Sequence, residues 1–303
     1  GRAQDLIDQG KLHLDAVQIT ALDEADQMAD MGFLPQVRKL LRLTPAQGQR
    51  LLFSATLDGD VNKLVEQFLH DPVVHSTAPV QAAVDSMSHH LFFVGERPAR
   101  NEVVLRIAAR QGKTIMFMRT KHGVDRQVKK LRRAGIHAQG LHGDKGQGAR
   151  TRALEGFASG ETPVLVATDI AARGIDVDDV SLVVHVDPPA EHKAYLHRAG
   201  RTARAGTSGT VVTLVMDDQS KEVSQLLRKA GVDAPEVKVA PLSESLVTIT
   251  GARTPEGAPL PPPGQPQQGR TGTGSGSRRA GNNRNRSNNR AHRANRSRRR
   301  NGR

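Results

Sequence analysis

The run AVQITALDEADQMADMGFLPQVRKLLRLTPAQGQRLLFSAT, from Ala16 to Thr56, decides what kind of fold this chain adopts. Two strand-like apolar runs, AVQITAL and RLLFSAT, flank MADMGFLPQVRKLLRL, in which Met31, Phe33, Leu34, Val37, Leu40 and Leu41 recur at roughly helical spacing. Pro35 falls in a first turn, where its missing N–H costs no helical hydrogen bond. Strand, helix, strand in that order predicts two parallel strands joined by a crossover. The first strand delivers Asp23, Glu24 and Asp26, and the second delivers Ser54 and Thr56. Open α/β sheets bind ligands at the carboxyl ends of their strands. A carboxylate placed there can hold the Mg²⁺ of a nucleotide while the next orients an attacking water. The hydroxyls of Ser54 and Thr56 are then candidates to hydrogen-bond those carboxylates. Taken singly, an acidic helix start and a simple helix cap remain open as readings of the two motifs.

After a short helix at VNKLVEQFL comes a stretch of mixed polarity, 76–88, that reads as an interdomain linker. The runs TIMFMRT, IHAQGLH, PVLVATD, SLVVHVD and GTVVTLV then alternate with helical stretches, one ending near Gly135 and one running from Gln147 to Ala158. Short apolar strands separated by helices predict an α/β fold with a doubly wound parallel sheet buried on both faces. The expected organisation is a first domain over 1–75, the linker, a second domain over 89–232, an extended proline-rich segment over 233–269 and a disordered arginine-rich tail over 270–303.

The totals narrow the class. A chain of 303 residues with 37% hydrophobic content can bury two cores. It has no cysteine, which excludes disulfides and thiolate metal sites and fits a reducing cytoplasm. No apolar run approaches the ~20 residues of a membrane span, so a soluble cytoplasmic protein is expected. The net charge of +13 is unevenly spread: residues 270–303 hold twelve arginines and no acid, leaving 44 − 12 = 32 basic against 31 acidic residues elsewhere. The basicity is a tail, suited to a polyanionic partner.

Three further motifs lie in the second half. LHGDKGQGAR (141–150) is no phosphate-binding loop, because its lysine precedes the last glycines. It offers Gly143 for close backbone approach to a polymer's phosphates, with Gln147 and Arg150 one helical turn apart. ATDIAARGIDV (167–177) brings Thr168 to a strand end and sets Arg173 and Asp176 on either side of a flexible glycine. A glycine-rich turn and a capped helix are equally open for these two segments. AYLHRAGRTARAG (194–206) sets Arg198, Arg201 and Arg204 on one helical face beside His197, with no acid between Glu191 and Asp217. Guanidinium forks suit phosphate oxygens, and arginines from one domain can stabilise a γ-phosphoryl group held by another. A solvated charged face is the competing reading.

Taken in order, DEAD, SAT, LHGDKGQGAR, ATDIAARGIDV and HRAGRTARAG resemble the motif series of the DEAD-box ATP-dependent RNA helicases, over roughly Gly1 to Gly231. The resemblance implies two RecA-like domains, the first incomplete, that close around ATP, Mg²⁺ and RNA. It makes Asp23 the Mg²⁺ residue through water, Glu24 the residue that positions the hydrolytic water, and Asp26 a partner of the SAT segment. Ser54 and Thr56 would couple hydrolysis to unwinding. Arg2, Gly143, Gln147, Arg150 and Thr168 become the RNA-backbone set, and Asp176 a residue near the ribose. Arg201 and Arg204 become γ-phosphate fingers, with His197 reaching the DEAD segment. Ala203 stands where the family has glycine, a change expected to leave a helix undisturbed. The adenine-reading Gln motif and the phosphate-binding loop are missing, so the chain is expected to be a truncated form, inactive on its own. The resemblance leaves room for ribonucleoprotein or RNA-decay partners. Two other readings stay open: a non-catalytic RNA-binding or annealing module acting through the tail, and a DNA translocase of the wider helicase superfamily.

Overall fold

A computed structural model describes residues 1–57, 59–76, 87–173, 175, 177–204 and 208–261. The tail and Asp176 therefore lie outside the described residues, as does most of the expected linker. The chain divides into two compact units, Gly1–Ala82 and Ala83–Arg303.

The first unit runs α1 (Arg2–Asp8), β1 (Ile19–Leu22), α2 (Ala25–Asp30), α3 (Leu34–Arg42), β2 (Gln49–Leu52) and α4 (Gly59–Phe68). β1 and β2 pair in parallel, Ile19 opposite Gln49 through Leu22 opposite Leu52, as the strand–helix–strand reading requires. The single helix expected between them is two. Gly32 takes a φ of 70°, a left-handed conformation open to glycine, and ends α2. α3 then restarts with Pro35 in its first turn. Leu34, Val37 and Leu41 of α3 pack with Leu64 and Phe68 of α4 over Leu22 and Leu52. Arg50 closes the far end of this layer: its Nη1 donates to the Phe68 carbonyl at 2.8 Å and its guanidinium lies 5.4 Å from the Phe68 ring. Alternate residues Ile19, Leu51 and Phe53 are 59%, 39% and 54% exposed, because helices cover only one side of the two strands.

The second unit runs β3 (Met87–Phe93), α5 (Arg97–Ala108), β4 (Lys113–Phe117), α6 (Lys121–Arg133), β5 (Ala138–Leu141), α7 (Gln147–Ala158), β6 (Val164–Ala167), α8 (Asp169–Ala172), β7 (Val180–His185), α9 (His192–Ala199), β8 (Gly209–Val215), a 3₁₀ turn, α10 (Ser220–Ala230), β9 (Glu236–Lys238) and α11 (Glu244–Thr250). All strand pairs are parallel, in the order β5-β6-β4-β7-β8-β3-β9. Successive strand residues serve opposite faces: Leu165 and Ala167 join the layer of α7 to α10, and Val164 and Val166 the layer of α5, α6 and α11. This is the doubly wound sheet the apolar runs predicted.

Two expected boundaries move. Met87 and Ser88, assigned to the linker, open β3, a strand whose apolar run is interrupted by His89 and His90. Residues 233–261, assigned to an extended linker, pack on the unit instead. β9 pairs with β3, and Val239, Leu246 and Ala252 are buried. Arg110 Nε donates to the Thr250 carbonyl at 2.6 Å, and the Leu260 N–H to the Arg132 carbonyl at 2.8 Å. Single apolar pins and arginine-to-carbonyl bonds hold this segment, so it carries no periodicity to read.

Candidate functional site

In the first unit the DEAD and SAT segments are stitched together immediately beyond the strand ends. The Phe53 N–H donates to the Leu22 carbonyl at 2.7 Å, and the Ala25 N–H to the Phe53 carbonyl at 3.1 Å. The Asp26 N–H then donates to Ser54 Oγ at 3.1 Å, while that hydroxyl donates to the Thr56 carbonyl at 2.6 Å. Asp26 thus meets the SAT segment as expected, but through its amide. The Ser54 hydroxyl donates its proton to the Thr56 carbonyl rather than to a carboxylate, and the Asp26 side chain is buried. Glu24 takes a φ of 52°, a left-handed conformation that costs a non-glycine residue on the order of 1–3 kcal/mol. That one residue turns strand into helix, leaving Asp23 exposed, Glu24 half-exposed and Asp26 buried. Asp23 Oδ1 accepts the Glu24 N–H at 2.8 Å, which fixes the carboxylate at the strand end. Arg2 lies on α1 in an exposed pair with Asp5 at 2.7 Å.

In the second unit β5 leads into the loop that carries Gly143, which is exposed with nothing within 4 Å of where a Cβ would stand. The loop is tied down on both sides. His142 Nε2 and Lys145 Nζ meet Asp125 Oδ1 at 3.1 and 2.9 Å, and Lys121 meets Asp144 at 2.7 Å. Burial pushes the Asp125 carboxyl up, but the hydrogen bonds and charges of Lys145 and His142 outweigh it and hold the group below its ordinary value. Gln147 is the exposed first residue of α7. Arg150, one turn on, points its Nη1 and Nη2 at the carbonyls of Ala171 and Arg173, at 2.8 and 3.3 Å. Two of its five donors therefore close the end of α8. Thr168 follows β6, is half-exposed, and donates its N–H to the Leu141 carbonyl at 3.1 Å, which joins the two loops.

The arginine row is not what its spacing implied. α9 ends at Ala199, so Arg201 and Arg204 stand beyond the helix. Arg198 is only 2% exposed and is compensated across the fold. Its Nε and Nη2 meet the two carboxylate oxygens of Asp169 at 2.5 and 2.8 Å, its Nη1 donates to the Asp187 carbonyl at 2.8 Å, and its guanidinium lies 5.0 Å from the Phe117 ring. The expectation of three arginines on one uncompensated face fails because the acid that pairs with Arg198 is distant in sequence, 29 residues upstream. Arg201 and Arg204 are half-buried and aimed by main-chain carbonyls: Arg201 by His197 at 3.2 Å and Ile175 at 3.1 Å, Arg204 by Gly200 at 3.2 Å. His197 is half-exposed in the last turn of α9.

Ala203 is also reassigned. It sits in no helix and takes a φ of 53°, the region glycine adopts without penalty. Sequence reasoning missed Asp169 as the partner of Arg198. It also missed Asp187, which accepts from Arg100 Nη1 and from the Arg119 N–H, both at 3.0 Å. Both acids follow apolar strands, and that position was the signal available for them.

The motif segments follow the carboxyl ends of parallel strands in both units: DEAD and SAT after β1 and β2, 143–150 after β5 and Thr168 after β6. Among the described residues no cluster of three or more His, Asp or Glu could hold a metal alone, and an exposed carboxylate such as Asp23 suits a Mg²⁺ shared with phosphate oxygens.

Comparison with known proteins agrees with this arrangement. The DEAD/DEAH box helicase family model matches residues 1–64, and the model for the helicase conserved C-terminal domain matches residues 99–206. The chain is 38% identical over 235 residues to the ATP-dependent RNA helicase RhlB of Pseudomonas syringae, covering 76% of this chain and 59% of that protein. It is 37% identical over 243 residues to the ATP-dependent RNA helicase DBP2 of Debaryomyces hansenii, covering 78% and 45%. The chain thus spans about half to three-fifths of the length of these relatives. Among solved structures, S. cerevisiae Dbp5 bound to RNA and ADP BeF3 is similar with a TM-score of 0.72 and 28% identity, over 82% of this chain and 66% of that one. With a family match in each unit, motif residues at parallel strand ends in both and relatives of one kind throughout, the chain belongs to the DEAD-box helicase family.

Proposed function

We propose that this chain supplies much of an ATP-dependent RNA helicase, in which RNA-stimulated hydrolysis of ATP drives local separation of an RNA duplex. The observation that carries the reading is the placement of the DEAD, SAT, 143–150 and Thr168 segments at the carboxyl ends of parallel strands, where such sheets take ligands. In it, Asp23 holds Mg²⁺ through water, Glu24 positions the hydrolytic water, and Arg201 and Arg204 meet the charge developing on the γ-phosphoryl group. The bound Mg²⁺ would supply charge neutralisation on the phosphates. Ser54, tied to the Asp26 amide, and Thr56 would couple hydrolysis to unwinding, His197 would serve the DEAD segment or its waters, and Asp176 the ribose. Arg2, Gly143, Gln147, Arg150 and Thr168 follow the RNA backbone. The domains are taken as one ending near residue 76 and one running from 87 to 261, in a cytoplasmic protein.

The test is phosphate release from ATP, with and without RNA, by a chimera in which the N-terminal segment of the P. syringae relative precedes Gly1. RNA stimulation is expected, with Glu24→Gln and Arg201→Ala each lowering kcat by on the order of 10²-fold or more. Stimulated turnover that survives either substitution overturns the assignment.

A further inference from the structure

On the second unit a cleft of about 540 Å³ opens between α6, the edge strand β5 and the start of α7. Five cations line it, Lys129, Arg132, Arg133, Lys145 and Arg152, against the one carboxylate of Asp125. Asp125 is already bonded to His142 and Lys145, and Arg132 donates its Nε to the Pro261 carbonyl at 2.5 Å. Lys129, Arg133 and Arg152 are exposed and make no hydrogen bond or ion pair with a described residue. Lys129 and Arg133 are four apart on α6, a like-charge spacing that weakens an isolated helix by a few tenths of a kcal/mol. No described residue forms an ion pair with either cation, and a polyanion would offset their repulsion.

The surroundings favour a phosphate backbone over an acidic peptide. Lys145 belongs both to the cleft and to the 143–147 loop, so the cations continue the surface on which Gly143 and Gln147 stand. The chain also leaves at the rim: Leu260 lines the cleft, and nine residues on from Pro261 come Arg270 and the rest of the twelve C-terminal arginines. Nine residues reach at most about 30 Å. No Asp or Glu follows Glu256, so the sequence beyond Pro261 offers no side-chain carboxylate to these cations. A spaced row of cations leading away from a strand-end loop matches the repeating charge of a nucleic acid strand.

We propose that this cleft is a second seat for the RNA backbone, holding the part of the strand that runs on beyond the Gly143–Gln147 surface. The proposal rests on the RNA-binding reading above.

It is tested on the full chain by fluorescence anisotropy over a range of salt, with uridine oligomers of about 6 and about 20 nucleotides, spanning the site sizes of single-strand binding modules. The Lys129→Gln/Arg133→Gln/Arg152→Gln variant changes exposed side chains only. With the longer oligomer its log affinity against log salt should flatten by about 2, three contacts at ~0.7 each. Its affinity for the shorter oligomer should be unchanged. The Lys129→Arg/Arg133→Lys/Arg152→Lys variant should restore the slope. An unchanged slope with the long oligomer, while wild type binds RNA, overturns the cleft alone. Absence of RNA binding by wild type overturns the RNA reading along with it. Loss of polyglutamate binding in the neutral variant, with RNA binding intact, overturns the cleft by assigning it to an acidic protein partner.

Discussion

Replacing Asp169 by Asn leaves the Arg198 guanidinium buried with its charge uncancelled. The cation is 2% exposed and holds four contacts: the two Asp169 oxygens at 2.5 and 2.8 Å, the Asp187 carbonyl at 2.8 Å and the Phe117 ring at 5.0 Å. Removing one member of a buried pair costs about 3–5 kcal/mol, because the other charge stays desolvated. The Asp169 side chain is 33% exposed, so water can reach its end of the pair, which argues for the lower limit, about 3 kcal/mol. Removing both charges together in Asp169→Leu/Arg198→Met should cost much less than the sum of the single changes, since nothing charged is then left buried. The measurement is convenient. The chain has one tyrosine and no tryptophan, and that tyrosine, Tyr195, is fully buried in the same helix as Arg198, so its emission follows unfolding of the second unit alone. For a unit of this size, about 3 kcal/mol lowers Tm by roughly 6–12 °C. If Asp169→Asn stays within about 1 kcal/mol of wild type, the pair is not a structural clamp, and Arg198 returns to the candidates for ligand binding.

Two further outcomes follow from single residues. Ala203→Gly should stabilise the second unit by about 1 kcal/mol, since a left-handed conformation costs an L-residue roughly 1–2 kcal/mol and glycine gives back part of that in chain entropy; a loss of stability in urea titration would contradict the φ of 53°. His185 is fully buried, and burial first, then Arg198 and His89, hold its pKa well below the ordinary 6.5. The unfolded chain therefore takes up a proton before the folded one, so stability is whole above pH 6.5 and falls as the pH drops below it. At pH 5.5 the loss from this residue is on the order of 1 kcal/mol, and His185→Gln should remove that part of the slope between pH 7 and 5.5 as followed by Tyr195 emission.

The strands and the site positions of this chain were largely legible because both depend on local pattern. Apolar runs gave the buried strands of the second unit, and the residue after each run was the place to look for chemistry. Gln147 to Ala158 was read as a helix and is one. Elements stabilised by isolated contacts escaped. β9 has three residues and only Val237 between two charges, and it exists because β3 offers it an edge. The C-terminal segment to Pro261 is fixed by arginines reaching carbonyls more than a hundred residues away in sequence, Arg110 to Thr250 and Arg132 to Pro261.

The arginine row shows why such errors fall on charges. A hydrophobic side chain is satisfied by any apolar neighbour, so its partners follow from period alone. A buried guanidinium needs a carboxylate in a fixed geometry, and the fold finds one wherever a strand end passes, here 29 residues upstream in Asp169. Spacing therefore grouped three arginines that burial separates. Arg198 is drawn into the core of the unit by its acid, while Arg201 and Arg204, beyond the end of α9, are aimed by carbonyls that carry no net charge. Burial against an acid assigns Arg198 to the structure of the unit, while Lys129, Arg133 and Arg152 are exposed and form no ion pair with a described residue, which leaves their charge to a polyanion.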